Sequence, residues 1–142
     1  MTEIPFEYWN KLASNLITVS SLLTGFSIAV IANLLVSDSN NRISNNIFKA
    51  TTVAAGCFLI TVFAMTKILM MTTVGHPIKI EMVELRLPRI IGMLTFLLGI
   101  VSLSLVIALS GWTKSKKMGT FTTSVSIVTF ILILITLVDI RL

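Results

Sequence analysis

The sequence predicts an all-α membrane protein, a single domain of four transmembrane helices, and three observations carry that prediction. The stretch from Leu12 to Ser37 holds no charged residue and exceeds the roughly 20 residues a helix needs to cross a hydrocarbon core. Three further apolar runs follow it, Ala50–Thr73, Ile90–Thr113 and Met118–Val138, and Lys67 is the one charge inside them. Over 142 residues the chain is 55% hydrophobic and 12% charged, with a mean hydropathy of +0.97, far from soluble globular composition. Helices are predicted over about residues 12–37, 50–73, 88–113 and 118–139. The short connections leave no length for a soluble catalytic or sensory domain, so function is expected in the spans and their loops.

The first span is unusually polar, with Asn15, Thr18, Ser20, Ser21, Thr24, Gly25, Ser27 and Asn33 along it. Polar groups facing lipid are costly, so this helix is expected inside a bundle or along a pore. The segment Met1–Lys11 carries Glu3 and Glu7 and no basic cluster, and no small-residue cleavage pattern follows. The span is therefore expected to be retained rather than removed as a signal peptide.

The polar stretch Ser37–Asn46 (SDSNNRISNN) is predicted as an exposed loop. In the second span Cys57, the sole cysteine, is expected as a small packing residue. Lys67, near the end of that span, either snorkels to the headgroups or, facing the bundle, would be a buried functional charge. Gly75 and Pro77 break the helix, and the mixed segment IKIEMVELRLPR after them is read as interfacial or as an extension of the third span. His76 is expected as a turn residue, because no Cys, Asp or second His accompanies it as a metal ligand.

The third span carries Gly92 and Gly99 one heptad apart, with Ser102 and Ala108 beyond them, enough small residues for close helix contact. The fourth, around SIVTFILILITLV from Ser126 to Val138, is almost uniformly apolar and suits lipid. Trp9 and Trp112 near span ends are predicted as interfacial anchors.

The formal net charge of +5 is spread over termini and loops, densest at Lys114, Lys116 and Lys117, a pattern that fits phospholipid headgroups. A basic groove interleaved with aromatics is missing, so no nucleic acid is expected as a partner. Lys11, Lys67, Lys79, Arg86, Arg89 and Arg141 fall on the N-terminal side and Arg42, Lys49, Lys114, Lys116 and Lys117 on the other, a balance that leaves orientation open. No nucleophile–base pair, phosphate loop or embedded carboxylate pair stands in the sequence, so neither an enzyme nor a cofactor is expected.

Helical periodicity of about 100° per residue places Lys11, Asn15, Thr18, Leu22, Phe26, Ala29 and Asn33 within an arc of about 80°. The stripe runs from a cation at one mouth through two small polar positions and an apolar zone to an amide at the other mouth. Copies of the helix around an axis would make a narrow pore with Leu22 and Phe26 as hydrophobic gate and Asn33 as selectivity ring. The same Leu22, Phe26 and Ala29 would serve equally in a closed, dry helix interface. Ser20, Ser21, Thr24 and Ser27 point the other way, toward neighbours or their own backbone. Asp38, one position past the span, could draw cations to the Asn33 mouth or be an ordinary loop acid.

Ser21-Leu22-Leu23-Thr24-Gly25-Phe26, with Asn33 seven residues on, resembles the first transmembrane helix of the Orai calcium channels. Thr51-Thr52-Val53, Leu59, Thr66 and Ile68-Leu69 fall in the register of that family's second helix, and Leu97-Leu98-Gly99, Ile107-Ala108 and Trp112-x-Lys114 repeat the pattern of its third. The resemblance implies a homo-oligomer, a hexamer, with six first helices around a central pore, second and third helices as a supporting ring and fourth helices outermost. It also implies both termini in the cytosol, in a plasma or bacterial inner membrane. The family's pore-facing positions carry over to Thr18, Leu22, Phe26, Ala29 and Asn33.

The departures from the family are specific. Asn33 stands where the family has its calcium-binding glutamate ring, and amide oxygens offer only dipoles where carboxylates concentrate a divalent cation. The family's second-helix histidine corresponds to Phe58 and its third-helix glutamate to Val106, and its basic inner pore is thinned to Lys11 with Asn15 and Thr18. The fourth span has no proline, and no counterpart follows it for the helix that receives the family's activating partner. The expected function is a channel passing inorganic cations with weak or altered calcium selectivity, without store-operated gating; the sequence names no gating partner. A non-conducting membrane scaffold that binds a partner is the alternative, and a pore-forming bacterial effector is compatible with the channel reading. A small multidrug-type exporter would need a membrane-embedded carboxylate, which these spans lack.

Overall fold

Apolar runs become helices in a membrane because every backbone N–H and C=O must find its partner within the segment. The computed structural model of the chain describes residues 6–37, 40–73 and 84–139. They form α1 (Phe6–Val36), α2 (Arg42–Thr72), α3 (Arg86–Ser110) and α4 (Lys116–Asp139), with a 3₁₀ turn, Gly111–Thr113, between the last two. All four are long and apolar enough to cross a membrane, so the predicted count of four spans holds and the chain is a multi-pass membrane protein.

The helices start earlier than hydropathy placed them. α1 begins at Phe6, and α2 begins at Arg42, so the loop expected over Ser37–Asn46 is helical in its second half. Asn41 takes the extended N-cap conformation (φ −86°, ψ 147°), and the Asn45 N–H donates to its carbonyl at 3.0 Å. Hydropathy marks only the part of a helix that meets lipid. A helix of 31 residues is about 46 Å long, well beyond the hydrocarbon thickness of about 30 Å, so its polar turns belong outside the core. Gly75, His76, Pro77, Lys79, Asp38 and Arg141, with the first half of the segment predicted as interfacial, lie outside the described residues.

The helices pack as an antiparallel row in chain order, α1 on α2, α2 on α3, α3 on α4; among the described residues α1 and α4 do not pack along one another. α2 is the central member, burying Thr51, Ala54, Ala55, Phe58, Thr61, Met65 and Ile68. On α3, Gly92 and Gly99 provide the close approach predicted for them. A Cβ on Gly99 would stand 2.7 Å from Cε1 of Phe58, and one on Gly92 would collide with the end of Met65. Phe58 is fully buried, edge-on to Phe96 at 6.0 Å. Phe58 is thus an apolar plug seated on a glycine. Thr61 Oγ1 shares a 2.9 Å hydrogen bond with Thr95 Oγ1 across the same seam, the kind of interhelical bond that helps join spans in lipid.

The α3–α4 corner is small and polar. Thr122 and Thr123 hydroxyls donate to the Ala108 carbonyl at 3.2 and 3.3 Å, and Ser126 Oγ donates to the Ser104 carbonyl at 2.6 Å. Ser115 Oγ accepts from the Met118 N–H at 3.2 Å, capping the start of α4. Beyond Ser126 α4 is largely exposed, with Ile127, Val128, Ile131, Leu132 and Ile135 uncovered, as expected of a lipid-facing helix.

Both tryptophans are packed at helix ends, and Trp112 is still 42% exposed there. Trp9 is buried with Ala13, Met65, Ile68 and Leu85; Trp112 lies against Gly119 and donates from Nε1 to Thr123 Oγ1 at 3.1 Å. Both sit where helix ends meet, and that packing cannot be read from a tryptophan's place in the chain.

Candidate functional site

The rotation of α1 about its axis decides which residues it offers outward, and contacts with α2 set that rotation. Its buried residues are Trp9, Ala13, Ser20, Thr24 and Ser27, centred about 160° round the helix from the middle of the Lys11-to-Asn33 stripe. Ser20 and Ser27 have no accessible surface. Thr24 Oγ1 donates to the Ser20 carbonyl at 2.7 Å and Ser27 Oγ to the Leu23 carbonyl at 2.8 Å, which satisfies those two hydroxyls inside the helix, whereas the buried Ser20 Oγ has no hydrogen-bond partner among the described residues. Ser21, grouped with them by the sequence, is exposed, because it lies a quarter-turn off the contact.

At the end near the N-terminus, Asn10 Nδ2 donates to Thr72 Oγ1 at 3.1 Å and to the Leu69 carbonyl at 3.4 Å, meeting a carbonyl in the last turn of α2, where intrahelical partners run out. Trp9 adds a second clamp, its ring under the Arg89 guanidinium at 4.4 Å. Sequence reasoning missed both. Asn10 precedes the span and Arg89 is distant in the chain, and nothing local announced either partner.

All seven stripe residues, Lys11, Asn15, Thr18, Leu22, Phe26, Ala29 and Asn33, are exposed on the protomer. Leu22 and Phe26 are 71% and 62% exposed, a large uncovered apolar pair in the middle of a span. Thr18 Oγ1 donates to its own helix at the Ser14 carbonyl, 3.1 Å. Lys11 Nζ lies 3.3 Å from Glu7 Oε1 one turn earlier, so the cation at this end of the stripe carries a carboxylate beside it. Asp38, the proposed cation attractor at the other end, is outside the described residues.

No family model, no curated protein and no solved structure matches this chain. The assignment of a role to this face therefore rests on its chemistry and geometry.

Two further features frame the stripe. One flank is made of small residues, Ser14, Ser21, Gly25 and Ala32, all exposed, and a Cβ on Gly25 would meet nothing within 4 Å. The other flank carries Val19, itself 44% exposed. A helix with one small and one bulky flank presents two surfaces that fit each other rather than themselves, the requirement for head-to-tail association into a ring.

Proposed function

We propose that the chain is a homo-oligomeric ion channel whose pore is lined by α1, with Leu22 and Phe26 as the hydrophobic gate and Asn33 as the narrow outer ring. The observation that carries this reading is the exposure of the whole stripe on a helix whose opposite face is sealed against α2. Polar groups at Asn15, Thr18 and Asn33 are poorly suited to lipid, and an α1 at the end of the row can be brought to an axis with its neighbours behind it. The row α1, α2, α3, α4 reads outward from such an axis in the order that the Orai resemblance implies, and six copies is the number it implies. Gly25 and the small flank allow adjacent α1 helices to approach closely.

Permeant inorganic cations with weak or altered calcium selectivity follow from an amide at position 33. A ring of Asn33 side chains offers oxygen dipoles without fixed charge, whereas calcium sites are built with carboxylates. The paired Lys11–Glu7 at the other mouth is close to neutral, so it sets up no strong barrier to cations.

Recording from purified protein in planar bilayers tests the reading. Wild-type protein is expected to conduct weakly and Phe26→Ala to conduct more, because a smaller side chain lets the apolar constriction wet. If neither passes ions, and if the particle in detergent is a small or uneven oligomer, the scaffold reading takes its place.

A further inference from the structure

The two ends of the bundle differ in charge. At the end where α1 leads into α2 and α3 into α4 stand Arg42, Lys49, Lys114, Lys116 and Lys117, all exposed. Between Glu7 and Glu81, and again between Glu84 and Asp139, the sequence holds a single acidic residue, Asp38, so at most one of these five cations can be neutralised by its own chain at this depth. None of the five forms an ion pair among the described residues. At the opposite end the exposed Lys67 joins Lys11, Arg86 and Arg89, and Glu7, Glu84 and Asp139 stand with them. A groove of about 440 Å³ opens at the cationic end, lined by Leu34 of α1, by Arg42, Ile43 and Ile47 of α2, and by Trp112 and Thr113 of the 3₁₀ turn. Lys114 follows Thr113 directly. Leu34 lies three residues inside the end of the uncharged stretch at Ser37, so the groove sits where the spans meet the headgroups, the level at which tryptophan is at home.

We propose that this groove binds an anionic phospholipid, with the headgroup phosphate on the Arg42 guanidinium, Lys114 beside it, and the glycerol and upper acyl carbons against Leu34, Ile43 and Trp112. The choice of occupant follows from charge complementarity. Copies of the chain inserted the same way bring the same end to the same depth. A second copy in the groove would therefore set its own five cations against Arg42, and like charges facing one another disfavour such a contact. A phosphate carries the opposite sign, and the planar guanidinium can take it with two parallel hydrogen bonds. The apolar wall and the exposed edge of Trp112 match the upper part of a lipid, which a soluble anion would leave uncovered. The site holds whether or not the chain conducts.

Reconstitution in phosphatidylcholine vesicles containing a trace of spin-labelled phosphatidylglycerol, or of spin-labelled phosphatidylcholine, reads out the site as the fraction of probe immobilised. Wild-type protein is expected to prefer the anionic probe, and Arg42→Gln to lower that preference about fivefold, the effect of one basic residue near an anionic lipid surface. Arg42→Lys keeps most of the preference, which separates loss of charge from loss of fold. An unchanged preference in Arg42→Gln overturns the proposal. So does an equal loss in Lys49→Gln, a cation of the same end that does not line the groove, because that would mark a diffuse surface effect. Disulfide formation between copies through Thr113→Cys in a Cys57→Ser background would show protein in the groove and would equally overturn it.

Discussion

The guanidinium of Arg89 lies 4.4 Å above the ring of Trp9, joining the first turns of α1 and α3 across the end of α2. The ring is also packed by Met65, Ile68 and Leu85, so one tryptophan fixes the ends of three helices. Among the described residues α1 otherwise packs on α2, so this contact and Asn10 add to the α2 packing that sets the direction in which the Lys11-to-Asn33 stripe points.

Removing the cation should have a modest effect and removing the ring a large one. Arg89→Gln is expected to lower stability in detergent by about 0.5–1 kcal/mol, the range for a cation–π pair whose cation is exposed to solvent. Trp9→Ala is expected to cost about 3 kcal/mol or more through the cavity it leaves. In the double variant the Arg89 effect should vanish. Thermal denaturation followed by circular dichroism gives these values, and strict additivity would show that the two residues do not interact.

The glycines separate into those used inside the protomer and those left open. Gly99→Ala brings a Cβ against the buried Phe58 ring and is expected to destabilise the protomer by about 1–3 kcal/mol, the cost of overpacking. Combining it with Phe58→Leu should recover part of that loss. Gly25→Leu, where no atom lies within 4 Å, should leave the protomer's melting temperature near wild type while lowering the subunit count on size-exclusion chromatography with light scattering. An unaltered oligomer in Gly25→Leu would remove this flank from the subunit interface.

Asn33→Asp tests the outer ring. If Asn33 side chains converge on the axis, carboxylates there should raise the permeability to calcium relative to sodium, measured as a shift of reversal potential under bi-ionic conditions. Added calcium should then block the sodium current, since a carboxylate ring retains a divalent ion where amides do not. A reversal potential identical to wild type would place Asn33 off the pore.

The number of spans was legible because hydropathy reports the one requirement that lipid imposes on every residue of a crossing helix. The stripe on α1 was legible as well, since periodicity alone sets which side chains share a face, and that face is the exposed one. Gly92 and Gly99 announced close packing through their spacing. The beginnings of α1 and α2 were not legible, because Phe6–Lys11 and Arg42–Asn46 form helix beyond the lipid-facing stretch, where polarity no longer distinguishes helix from loop.

By itself, then, the sequence determined four membrane helices and a polar first span with one outward face of defined composition. Tertiary structure alone decided what lies behind that face. It placed Phe58 on Gly99, Asn10 on the last turn of α2 and Trp9 beneath Arg89, and it brought Arg42 and Trp112 to one groove. These are pairings between residues far apart in the chain, chosen by the packing of whole helices, and no local pattern of side chains encodes which distant partner each will meet.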